Sequence, residues 1–95
     1  ESSKREYLNI KVKPNVSLHH FTIEENYTIL NKSIKESRIR ELSNGLVVGI
    51  ERNGQRILNP ESDVIFKLND KVWIVGNEQR MQILRKLISN KRKVI

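Results

Sequence analysis

The sequence predicts an α+β domain, a small and mainly antiparallel sheet with two helices. Three local signals carry that prediction. Arg52-Asn53-Gly54-Gln55 places Asn-Gly between two apolar runs, which is the composition of a two-residue hairpin turn needing positive φ at both central positions. Ser33 with Glu36 three residues later forms a capping box at a helix start. Met81, Leu84 and Ile88 recur at helical spacing near the end, with Ile83 and Leu87 beside them.

The elements follow in order. Residues 1–14 are polar, end at Pro14 and read as a linker, within which Tyr7 to Val12 is a short extended stretch. Leu18 to Ile23 is β-prone, and Glu24-Glu25-Asn26 closes it. The helix capped by Ser33 runs toward Leu42, which shares a face with Ile34, and Ser43-Asn44-Gly45 stops it. Leu46-Val47-Val48-Gly49-Ile50 is a strand with apolar residues at consecutive positions, so both of its faces are covered. Gln55 to Leu58 is its hairpin partner, and Asn59-Pro60 breaks it. Val64 to Leu68 is a strand or an extended segment. Asn69-Asp70 turns the chain into the strand Val72-Trp73-Ile74-Val75, and Asn77 is placed to cap the last helix. The domain therefore spans residues 15–89, followed by a basic tail at 90–95.

The bulk properties narrow the function classes. Ninety-five residues fit one domain that buries roughly 60–65% of its unfolded surface. The chain has no cysteine, which removes disulfides, thiolate metal sites and cysteine nucleophiles. No apolar run approaches the ~20 residues of a membrane helix. The N-terminus, Glu1-Ser2-Ser3-Lys4, lacks a signal-peptide core. The net charge of +7 suggests a nucleic-acid-binding module, but its distribution weakens that reading. Lys4, Arg5, Lys11 and Lys13 against Glu1 and Glu6, with Lys91, Arg92 and Lys93, put +5 at the ends and leave +2 between them.

Particular residues at the joints then resemble one family. They stand as Ile29-Leu30-Asn31-Lys32-Ser33-Ile34-Lys35-Glu36, Val47-Val48-Gly49-Ile50-Glu51-Arg52-Asn53-Gly54, Ile57-Leu58-Asn59-Pro60 and Leu68-Asn69-Asp70-Lys71-Val72-Trp73-Ile74-Val75-Gly76. In this order they are similar to the RCK C-terminal (TrkA-C) domain family over about residues 18–88. Asn31 and Asn69 replace the family's usual glycines, a change asparagine tolerates because it reaches the left-handed region. Gly49 replaces a usual alanine, and Ser37 stands where leucine is more common.

The resemblance implies a non-enzymatic, cytosolic regulatory domain of a monovalent-cation transport protein, on the cytoplasmic side of the membrane. It implies a homodimer coupled to a membrane transporter portion. The Val47–Arg52 and Arg56–Pro60 versions, and an end shortly after the last helix, point to a cation:proton antiporter. A potassium channel or uptake system is the alternative.

The resemblance also implies a site. Several members bind cyclic di-AMP between two such domains, and carry-over by position assigns Ile39, Arg40, Leu46, Val47, Asn59 and Pro60 to that cleft. Apolar side chains would hold the purines and the guanidinium would pair with phosphate, whether the effector is cyclic di-AMP or another nucleotide. Arg38 stands where the family often has an acid, and Glu41 adjoins Arg40. The competing reading makes Ile39, Leu46 and Val47 core or dimer-contact residues and Arg40 a surface charge. His19 and His20 point to opposite faces of a strand and cannot share a metal from it. No nucleophile, acid and base stand at a recognisable spacing, so no catalytic residue and no metal ligand is expected.

Overall fold

A computed structural model describes residues 16–89. The linker, its extended stretch and the basic tail expected from the sequence lie outside the described residues. Four strands, β1 (Val16–Thr22), β2 (Leu46–Arg52), β3 (Gln55–Leu58) and β4 (Lys71–Asn77), form one sheet in the order β1-β4-β2-β3. Every pairing is antiparallel. The helices are α1 (Ile34–Ser37), α2 (Ile39–Ser43) and α3 (Glu78–Ser89).

The sequence-predicted joints form as their chemistry requires. Asn53 and Gly54 take φ of 52° and 77° in the β2–β3 turn. Asn31, Asn44, Asn59 and Asn69 also lie in the left-handed region. Asn77 Oδ1 accepts the N–H groups of Gln79 and Arg80 and caps α3. Both arms of the capping box are made at 3.0 Å, Glu36 N–H to Ser33 Oγ and Ser33 N–H to Glu36 Oε1. Ser33→Ala removes one arm and leaves an orphan donor, so a loss of about 1 kcal/mol is expected in denaturant unfolding, with an unchanged m-value.

One expectation needs correction. The single helix from Ser33 to Leu42 is broken at Arg38, which has φ 58° and ψ 27°, so the domain has three helices rather than two. The reason is phase. In an unbroken helix Ile39 would stand about 140° around the axis from Ile34, while Arg38 would stand only about 40° from it. Arg38 would then face the core and Ile39 would miss it. The left-handed residue resets the phase, so that Ile34 and Ile39 are both buried and Arg38 is exposed. Desolvating a guanidinium costs far more than the ~1–2 kcal/mol of one left-handed residue.

β4 lies between β1 and β2, and Val72 to Val75 are all buried. Strand alternation sends Val72 and Ile74 to one face, into a core with Phe21, Val47, Ile50, Ile39, Met81, Leu84 and Ile88. It sends Trp73 and Val75 to the other, where they cluster with Val48, Val16 and Leu18. β2 serves both faces through a bulge. Its register against β4 shifts between Val47 and Gly49, which leaves Val48 as the extra residue. Met81, Leu84 and Ile88 form the inward stripe of α3. Ile83 and Leu87, expected beside that stripe, are about half exposed, at 46% and 50%.

Val64 to Lys67 runs extended without joining the sheet, and Leu68 falls in the turn that follows. Asn31 N–H donates to Phe66 O and Phe66 N–H to Lys32 O, so this segment pairs with the approach to α1 and drives Phe66 fully into the core.

Candidate functional site

The six residues assigned by resemblance come from three parts of the chain that the topology brings to one end of the sheet. α2 passes into β2 through the short Asn44-Gly45 turn, where Asn44 N–H donates to Arg40 O at 2.7 Å. Gly45 is required there, because a Cβ at that position would stand 2.6 Å from Val75 O. β3 runs antiparallel to β2, so its last residues return to the start of β2. Asn59 N–H closes the arrangement by donating to Val48 O at the bulge, 3.0 Å away.

The six residues differ in what they can reach. Ile39 and Val47 belong to the core, with exposures of 0% and 2%, and Pro60 is buried. They are too deeply buried to meet a ligand directly. Arg40 is half-buried, while Leu46 and Asn59 are exposed. Among the described residues, Arg40 Nε is a buried side-chain donor with no hydrogen-bond partner. Leu46 and Leu58 lie on the same face of the sheet as Trp73 and Val75 and are 47% and 52% exposed, so they add apolar surface to that face. Leu58 escaped the sequence reading, although period-two alternation from the inward Ile57 places it outward.

A second feature was also missed. Arg52 makes a two-pronged pair with Asp70, Nε to Oδ1 and Nη2 to Oδ2, both at 2.8 Å. Its Nη2 also donates to Ile65 O, and Asp70 Oδ2 accepts Lys67 N–H. Asp70 is buried, and its hydrogen bond raises the Arg52 pKa above the ordinary arginine value. The pair anchors the loop that begins at Asn59-Pro60.

The histidines separate as expected. His19 Nε2 lies 3.2 Å from Gly76 O and 3.1 Å from Ser17 Oγ. His20 packs tilted against Trp73, with ring centroids 4.7 Å apart and planes at 47°. Its pKa is lowered, first by the desolvation of that packing and then by Lys71 and Arg85, with Glu51 pulling the other way. Trp73 Nε1–H donates to Glu51 Oε2 at 3.0 Å, and Lys71 Nζ sits 5.0 Å over the indole. Trp73 is thus held by polar partners on the sheet. Among the described residues no three His, Asp or Glu side chains are grouped to hold a metal. No helix among them is long and apolar enough to cross a membrane.

The described residues thus form a small antiparallel sheet backed by a terminal helix. The chain belongs to the TrkA-C domain family, which matches residues 18–89. It is 30% identical over 78 residues to probable potassium channel protein 2 of Methanocaldococcus jannaschii, covering 82% of this chain and 23% of that protein. The chain spans less than a quarter of the length of the curated relatives it matches, at 23% and 20%. The RCK C-terminal domain dimer of S. agalactiae BusR, solved with cyclic di-AMP, shares the fold with a TM-score of 0.70 at 24% identity, covering 80% of this chain and 99% of that one. The RCK C domain of the potassium transport protein KtrA, also solved with cyclic di-AMP, does so with a TM-score of 0.72 at 20% identity, covering 92% and 98%.

Proposed function

We propose that this chain is a cytosolic effector-sensing domain of a monovalent-cation transport protein, and that two copies clasp cyclic di-AMP at the Arg40 end of the sheet. The observation that carries it is the half-buried Arg40, whose Nε has no partner among the described residues; the exposed Leu46, Leu58 and Asn59 at the same end of the sheet supply the apolar and polar surface of the reading. One chain offers one guanidinium and one half of an apolar rim. A two-fold pair offers two of each, which matches a two-fold dinucleotide with two phosphates and two purines. The cyclic di-AMP complexes of BusR and KtrA domains of this fold support the choice of ligand.

Binding across the pair would favour one arrangement of the two copies, and that arrangement would bias the attached membrane portion. The bias can be no larger than the ligand's differential affinity for the two arrangements. For the parent protein, the potassium-channel relatives favour a channel or uptake system, whereas the Val47–Arg52 and Arg56–Pro60 resemblance favours a cation:proton antiporter. Flux measurements on the full-length parent in vesicles separate the two, because only the antiporter couples potassium or sodium movement to proton counterflow.

Calorimetric titration of the 95-residue chain with cyclic di-AMP should show saturable binding at one ligand per two chains, with sedimentation reporting the dimer. NAD and duplex DNA serve as comparison titrants. No heat with cyclic di-AMP well above the micromolar range would remove the ligand assignment. Tight, steeply salt-dependent DNA binding would instead favour the basic nucleic-acid module.

A further inference from the structure

The break at Arg38 is held by a side chain whose role the family resemblance does not explain. Ser37 Oγ donates to Ile34 O at 2.7 Å and accepts Ile39 N–H at 3.1 Å, so one hydroxyl joins the carbonyl of the first residue of α1 to the first amide of α2. Ser43 does the same at the other end of α2. Its Oγ donates to Ile39 O at 2.7 Å and accepts Gly45 N–H at 3.0 Å. Both serines are buried, at 6% and 0% exposure. Only a hydroxyl can donate and accept through one atom at such a joint, and the leucine usual at position 37 could do neither.

Between these two staples lies the single helical turn that carries Arg40. Its main chain has few bonds of its own, because a five-residue helix closes little of its hydrogen-bond ladder. The direction of the Arg40 side chain therefore depends on how the ends of α2 are pinned. We propose that Ser37, with Ser43 at the far end, is a positioning residue that holds the broken-helix geometry and so aims the Arg40 guanidinium. The proposal rests on the effector reading for its ligand, but the aim of Arg40 can be read without any ligand. Ser37→Ala removes both bonds at the joint and adds a residue that favours an unbroken helix. Arg38→Gly added to it restores the left-handed residue at little cost, and so restores the break without the hydroxyl.

The test uses nitrogen-15 spectra of the full 95-residue chain. The buried Arg40 Nε–H should give a cross-peak distinct from those of exposed arginines. In Ser37→Ala it should move into the exposed group, and cyclic di-AMP affinity should fall about tenfold, the loss of one hydrogen bond to a charged group. In Ser37→Ala/Arg38→Gly both should return toward the parent values. Phe21→Leu, in the edge strand β1, serves as a destabilised control and should change neither. An unmoved Arg40 cross-peak in Ser37→Ala, no rescue by Arg38→Gly, or an equal change in Phe21→Leu would overturn the positioning role. If the parent chain shows no cyclic di-AMP binding, the effector reading fails while the cross-peaks still decide the role of Ser37.

Discussion

Asp70→Ala is expected to destabilise the domain by about 3 kcal/mol, a large share of the 5–15 kcal/mol that about spans a small domain's stability. Asp70 is buried at 1% exposure and satisfies three donors at 2.8 Å: Arg52 Nε, Arg52 Nη2 and the Lys67 N–H. Its removal leaves Arg52 Nε–H and the Lys67 N–H without an acceptor and leaves the guanidinium tethered by the Nη2 bond to Ile65 O alone. The Arg52 side chain is 30% exposed, so water recovers part of the loss on that side. The melting temperature should fall by roughly 15 °C, at ~4–8 °C per kcal/mol for a domain of this size. Arg52→Ala leaves the carboxylate buried with one amide donor and should cost nearly as much. The double variant should cost clearly less than the two single losses added together, because neither partner is then left behind unpaired. Strict additivity in that cycle would show that the pair contributes only as two separate residues.

Arg40→Ala should separate stability from binding. If Arg40 pairs with a phosphate of cyclic di-AMP, its loss removes a charge-assisted contact from each half of the pair, and affinity should fall about 10- to 100-fold. The logarithmic salt dependence of binding should flatten at the same time, since fewer charge contacts remain. Folding stability should hold or rise, because the variant deletes a buried donor that has no partner among the described residues. Arg40→Lys should rescue little, as a point charge cannot reproduce a planar fork. Unchanged affinity in Arg40→Ala would return the residue to the role of a surface charge.

Much of the fold was legible before any coordinates, and for local reasons. The Asn53-Gly54 turn, the Ser33–Glu36 box, the Asn77 cap and the Met81, Leu84, Ile88 stripe each draw on residues within a few positions of one another. The regulatory class was legible through the order of four short segments, not through any chemistry at the candidate site. The break at Arg38 was not legible. A good cap followed by Ile34 and Leu42 on one face reads as one helix, and nothing local says that Ile39 must also reach the core. The Arg52–Asp70 clamp was hidden because its partners stand 18 residues apart on separate elements.

Sequence alone decided the Asn53-Gly54 hairpin turn, the Ser33 and Asn77 caps and the inward stripe of α3, because turns, caps and periodic stripes are short-range events. Tertiary structure decided the phase of the α1–α2 break, the bulge at Val48 and the burial of Asp70. Each of these satisfies a demand set by distant neighbours. Ile39 must reach a core it shares with β2 and α3, Val47 and Ile50 must both face that core across a bulge, and a guanidinium on β2 must find its carboxylate in the loop just before β4. Such demands arise only when the sheet closes.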